Sequence, residues 1–172
     1  MSFAKKLGPE YESLRVAAKI KTITVALNDV ECNLKIRIPV KREMEEITER
    51  ISTGDQATIE KIYSKLAEPL LKTMADADAE FLEVLKTGDQ RIEKIDNDLM
   101  VNGTSVRQIA TLMAAYQNQV EIYFSLIQSP TGEPVNESYD DIADEFPEHI
   151  IREIVKKIDE AIRPNYGDTK KN

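Results

Sequence analysis

From Val30 the chain alternates without a break. Val30, Cys32, Leu34, Ile36, Ile38 and Val40 are apolar, while Glu31, Asn33, Lys35 and Arg37 are polar. A period of two puts one apolar row on one face of a β-strand. Upstream, Ile23, Val25 and Leu27 alternate with Thr22, Thr24 and Ala26. Asn28-Asp29 separates the two runs, and both residue types tolerate the positive φ of a tight hairpin turn. That turn sets Leu27 opposite Val30, Val25 opposite Cys32 and Ile23 opposite Leu34, which keeps the apolar faces together. A lone hairpin is marginal in water, so its apolar face needs cover, and the chain after Lys41 reads as helix. The expected class is α+β, mainly α: an N-terminal β-hairpin over 19–40 packed on a multi-helix body over 41–164. With 172 residues, 19–164 is expected to be a single domain. Residues 1–18 read as either an arm or a short helix opening at Pro9, and 165–172 as a flexible tail.

Within the body, Met44, Ile47 and Ile51 recur at helical spacing. Thr53-Gly54-Asp55-Gln56 returns as Thr87-Gly88-Asp89-Gln90, each followed by Ile-Glu-Lys-Ile at 59–62 and 92–95. Thr-x-x-Gln is a capping-box pattern and the glycine can close a preceding helix, so each copy marks a helix-to-helix junction. Pro69 is expected to kink or divide the helix that carries Ile59, Ile62, Tyr63, Leu66 and Leu70. A short helix is expected from Asp89 to about Asn102-Gly103. Ser105-x-x-Gln108 then opens a long helix with the stripe Ile109, Leu112, Met113, Tyr116, Val120, Tyr123 and Ile127. A loop follows at Ser129–Pro134. The last helix starts at Phe146-Pro147 and carries Ile150, Ile151, Ile154, Val155, Ile158 and Ile162 up to Pro164.

The chemistry-bearing motifs of enzymes are missing. His149 is the sole histidine and has no nucleophile motif beside it. Neither a phosphate-binding glycine loop nor a cysteine-pair metal motif occurs, so no catalytic residue, metal or cofactor is expected. The acidic Asp76, Asp78, Glu80 and Glu83 do not have calcium-loop spacing. The net charge of −8 opposes a broad nucleic-acid surface, because phosphate neutralisation needs clustered Lys and Arg. The basic residues near the hairpin read as a solvated face. Cys32, the one cysteine, excludes an internal disulfide and suits a reducing compartment. No run reaches membrane-spanning length, and the first residues lack a signal-peptide core.

The order of parts resembles the tail assembly chaperones of long-tailed (siphovirus-like) bacteriophages. The likeness rests on the hairpin ending in Ile36-Arg37-Ile38-Pro39-Val40, on the helix that follows at once from Lys41 to Ile51, and on the helix Phe146-Pro147-Glu148-His149-Ile150-Ile151-Arg152-Glu153-Ile154-Val155. The acidic, helix-rich middle and the length fit too. The resemblance implies a protein of the host cytoplasm, absent from the virion, that binds the tape-measure protein, keeps it soluble and helps recruit tail-tube subunits. It also implies a longer frameshifted product, and Lys170-Lys171-Asn172 can be encoded by an A-rich slippery heptamer. Covering an apolar helical seam is helix-in-groove recognition, and an acidic exterior would keep such a complex in solution. The candidate partner-binding residues are Met113, Tyr116, Val120, Tyr123 and Phe124 on the long helix, several of them types enriched at interfaces, with Ile36 and Ile38 of any uncovered hairpin face. Self-association is a further expectation. Two other readings stay open: a structural tail or neck protein whose hairpin pairs with neighbours, and a helical adaptor or regulatory protein.

Overall fold

A computed structural model describes residues 3–27, 29–89 and 91–163. In chain order its elements are α1 (Phe3–Lys6), α2 (Pro9–Ala18), β1 (Ile20–Leu27), β2 (Val30–Arg37), α3 (Lys41–Thr53), α4 (Gln56–Asp76), α5 (Ala79–Thr87), β3 (Ile92–Ile95), β4 (Asp98–Val101), β5 (Thr104–Ser105), α6 (Val106–Phe124), α7 (Tyr139–Glu145) and α8 (Glu148–Ile162). The class is α+β and mainly α. Where the length suggests one domain, the chain gathers into two units: Met1–Thr48 with Gln119–Asn172, and Glu49–Asn118. The middle unit holds a sheet and cores of its own. The tail residues 165–172, with Lys170-Lys171-Asn172, fall outside the described residues.

In the first unit β1 and β2 pair antiparallel in the register the alternation dictates, with Leu27 opposite Val30, Val25 opposite Cys32 and Ile23 opposite Leu34. Asp29 has a φ of +69°, the left-handed geometry a two-residue hairpin turn requires; Asn28 lies outside the described residues. Helix α8 covers β1. Its six stripe residues Ile150, Ile151, Ile154, Val155, Ile158 and Ile162 are all buried, each worth about 1.5–3 kcal/mol over exposure. The free edge of β2 is met by a turn that sequence periodicity assigned to the long helix. α6 ends at Phe124, and Ile127 bridges Ile36. The Arg37 amide donates to the Leu126 carbonyl (2.8 Å) and the Gln128 amide to the Lys35 carbonyl (2.8 Å). Arg37 also makes a two-pronged ion pair with Glu43 of α3. The Arg37 hydrogen bonds hold the Glu43 carboxyl below the usual carboxylate range. α7, which the acidic run conceals, starts with a reciprocal capping box between Ser138 and Asp141.

The second unit departs further from expectation. α4 runs on through Pro69; the helical stretch divides at Ala77-Asp78 instead, where Asp78 caps α5 by accepting the Phe81 amide. Neither Thr53 nor Thr87 caps a following helix. Each is the last residue of its own helix and donates its hydroxyl to the carbonyl four residues back, Glu49 and Glu83. Asp55 caps α4 by accepting the Thr58 amide at 2.8 Å. Gln90 lies outside the described residues. The expected helix between Asp89 and Gly103 is absent. Residues 92–105 form a three-stranded antiparallel meander in the order β3-β4-β5. Its turns place Asp96 at φ +51°, Asn102 at +51° and Gly103 at +79°. Asn102-Gly103 with both φ positive is the preferred two-residue hairpin loop.

Candidate functional site

Helix α6 exposes apolar side chains on the second unit, as α4, α5 and β3 also do at Leu71, Phe81, Val84 and Ile95. Its start is built by Asp98 and Ser105. The Ser105 hydroxyl accepts the Gln108 amide (2.9 Å), and the Asp98 carboxylate accepts the Ser105 hydroxyl (2.5 Å) and the Arg107 amide (3.1 Å). Burial pushes the Asp98 carboxyl up, but the bonds from Ser105, Arg107 and Leu99 outweigh it, and the pKa lies below its ordinary value. Arg107 sits 4.2 Å above the Tyr63 ring and pairs with Glu60 at 2.5 Å. These contacts fix how α6 is turned on its axis.

That rotation is the reverse of what side-chain size suggests. Val106, Ala110 and Ala114 face inward. The two alanines pack with Ile59, Ile62, Tyr63 and Leu66 of α4, and Val106 packs with Ala67 and Leu99. The larger apolar residues point out: Ile109 is 37%, Leu112 65% and Met113 41% exposed. With half-buried Tyr116 they fall within an arc of about 100° on the helix surface. From Gln108 to Val120 the chain carries no charged side chain, although 31% of all its residues are charged. Exposed apolar side chains without charges among them have the composition of an interface core.

Of the seven residues singled out from sequence, Met113 lies on this face and Tyr116 borders it. Four others are corrected. Ile36, Val120 and Tyr123 are fully buried in the first unit and Phe124 nearly so. The Tyr123 hydroxyl donates to Asp159 of α8 (2.5 Å), and burial, seconded by that carboxylate, raises its pKa. Phe124 meets Phe146 edge-on at 6.3 Å. Side chains committed to these contacts are closed to a partner. Ile38 is half-buried. Ile109 and Leu112 belong to the apolar stripe read from sequence but were not singled out; the signal for their exposure is the small-residue row Val106-x-x-x-Ala110-x-x-x-Ala114.

The first unit holds a second feature, a cavity of about 260 Å³ beneath the hairpin. Val25, Leu27, Cys32 and Leu34 form one wall, and Phe124, Ile142, Phe146 and Ile154 stand among the residues lining the rest. Glu137, Asp141 and Glu145 also line it, and all three are exposed. Cys32 is a free thiol, half-buried on that wall. Among the described residues no helix is long and apolar enough to cross a membrane, and none of their His, Cys, Asp and Glu side chains group as a metal site. No family model, no curated protein and no solved structure matches this chain.

Proposed function

We propose that this protein is a non-enzymatic tail assembly chaperone of a long-tailed bacteriophage, which binds the tape-measure protein, keeps it soluble and helps recruit tail-tube subunits. The observation that carries the reading is the outward, charge-free face of α6 at Ile109, Leu112 and Met113. A tape-measure protein presents long apolar helical seams before the tail tube encloses it. A rigid helix with an exposed apolar arc can lie along such a seam, each side removing the other's apolar surface from water. The net charge of −8 keeps the assembly dispersed.

The test is affinity capture late in infection with wild type and with Leu112→Asp/Met113→Asp, after circular dichroism has shown that the variant folds. The proposal expects one very long helical protein with the wild type and at least a tenfold loss with the variant. Retention of mature particle components in place of that protein would overturn it in favour of a structural tail or neck role. Equal capture by wild type and variant would remove α6 as the binding face.

A further inference from the structure

We propose that the outer edge of β1 pairs antiparallel with the β1 edge of a second copy of this chain, giving a twofold dimer with one four-stranded sheet. The two edges of the hairpin are unlike. The outer edge of β2 is taken by the turn after α6, through the Arg37 amide and the Lys35 carbonyl. Among the described residues no strand lies beyond β1. The β2 bonds also tell which β1 groups point outward. In an antiparallel pair, opposite residues alternate between exchanging both backbone bonds and turning both outward. Lys35 and Arg37 turn outward, so their register partners Thr22 and Ile20 do too, and the alternation adds Thr24 and Ala26. All four β1 residues are exposed.

This edge carries none of the usual guards. Edge strands are commonly blunted by charge, proline, bulges or shortness. β1 is eight residues long and keeps its register with β2 unbroken along its length. From Thr22 to Leu27 it has no charge, proline or glycine. Two features select a second copy as the occupant. First, an antiparallel edge is complementary to itself. A twofold axis through Thr24 sets Thr24 opposite Thr24 and Thr22 opposite Ala26, so each outward donor meets an acceptor. Second, the charges at the ends match. The same register sets Lys21 diagonal to the second copy's Asp29, with Lys19 at the same end, and both Lys21 and Asp29 are exposed. An axis through Ile23 would instead set Lys21 against Val25, away from Asp29. Charge thus favours the Thr24 register. The contact is isologous and uses up both edges, so assembly stops at two. The inference does not depend on the role of α6.

The test uses the full-length chain. In sedimentation over about 1–200 μM, wild type should pass from monomer to dimer and no further. Amide exchange followed by NMR should slow at least fivefold at Thr22, Thr24 and Ala26 as the dimer fills, while Ile23 and Val25, already bonded to β2, change little. Thr24→Lys sets like charges opposite each other at the axis and should stay monomeric with an unchanged circular dichroism spectrum. In a Cys32→Ala background, Thr24→Cys should cross-link to a dimer under mild oxidation, because the Cα separation of about 5.5 Å in a hydrogen-bonded antiparallel pair is within disulfide reach. Thr22→Cys in that background should cross-link at least tenfold more slowly. If Thr24→Lys fails to fold, exchange and cross-linking decide. A wild type still monomeric at about 200 μM, a folded Thr24→Lys variant that dimerises, a dimer without slower exchange at those three amides, or equal cross-linking at positions 22 and 24 each overturns the proposal.

Discussion

Ile59-Glu60-Lys61-Ile62 and Ile92-Glu93-Lys94-Ile95 are the same four residues in two conformations, the first inside α4 and the second forming β3. The difference is visible in what becomes of the isoleucines. On a helix, residues three apart share a face, and Ile59 and Ile62 are both buried. On a strand, residues three apart point to opposite faces; Ile92 is buried and Ile95 is 51% exposed. The strand is the poorer burial for this tetrapeptide, so its own preference does not select it. The flanks do. Asp55 caps the first copy, and a long helical period follows. The second copy leads into Asp96, then into Asn102-Gly103, whose left-handed φ values are turn geometry and break a helix.

The comparison can be broken at several points. The largest effect is expected from Ile62→Ala, which opens a hole between α4 and α6. It should cost about 2–5 kcal/mol, read as a lowered urea midpoint with an unchanged slope. Replacing Asn102-Gly103 with Ala-Ala forces two side chains into left-handed geometry, at roughly 1–2 kcal/mol each. Amide exchange should then rise across 92–105 while Gln56–Leu66 stays protected; a uniform rise would mean the two copies are not independently specified.

Asp98→Ala removes the side chain that joins β4 to the start of α6 and should cost about 1 kcal/mol at pH 7. The folded-state pKa of Asp98 lies below its unfolded value, so its contribution is complete above about pH 4 and disappears as pH falls through the folded-state value. The gap in urea midpoint between wild type and variant should therefore narrow progressively as pH is lowered below about 4. The smallest effect belongs to Ile95→Thr, which should change stability by no more than about 0.5 kcal/mol. Set against Ile62→Ala, it sharpens the contrast between equivalent positions of one tetrapeptide.

What was legible in the chain follows the same logic. The hairpin register and α8 could be read because their periods are long and uninterrupted; the α8 stripe is buried throughout, and the hairpin row is buried at Ile23, Val25 and Ile36 but not at Val30 or Val40. The meander could not be read, because strands of four, four and two residues are too short to display a period. Asn102-Gly103, read as a helix end, was the available hairpin signal. At the candidate site, Met113 was singled out by its residue type, and it is exposed. Ile109 and Leu112, members of the same stripe, were not singled out because interface residue types were sought among its aromatic and methionine side chains. Which face of a helix turns inward depends on what lies opposite, and Tyr63 and Leu66 are far from α6 in sequence. Tyr123 and Phe124 were misassigned because interface and core draw on the same aromatic residues.

The small-residue seam of α6 separates two kinds of constraint. Ala110 and Ala114 hold the helix against α4 by being small, and growth at either position would overpack the seam. Leu112 and Met113 take no part in that seam, so exchanges there leave the fold in place. The exposed face is thus free to drift through successive generations while the opposite face stays fixed; change on it need not be purchased with stability.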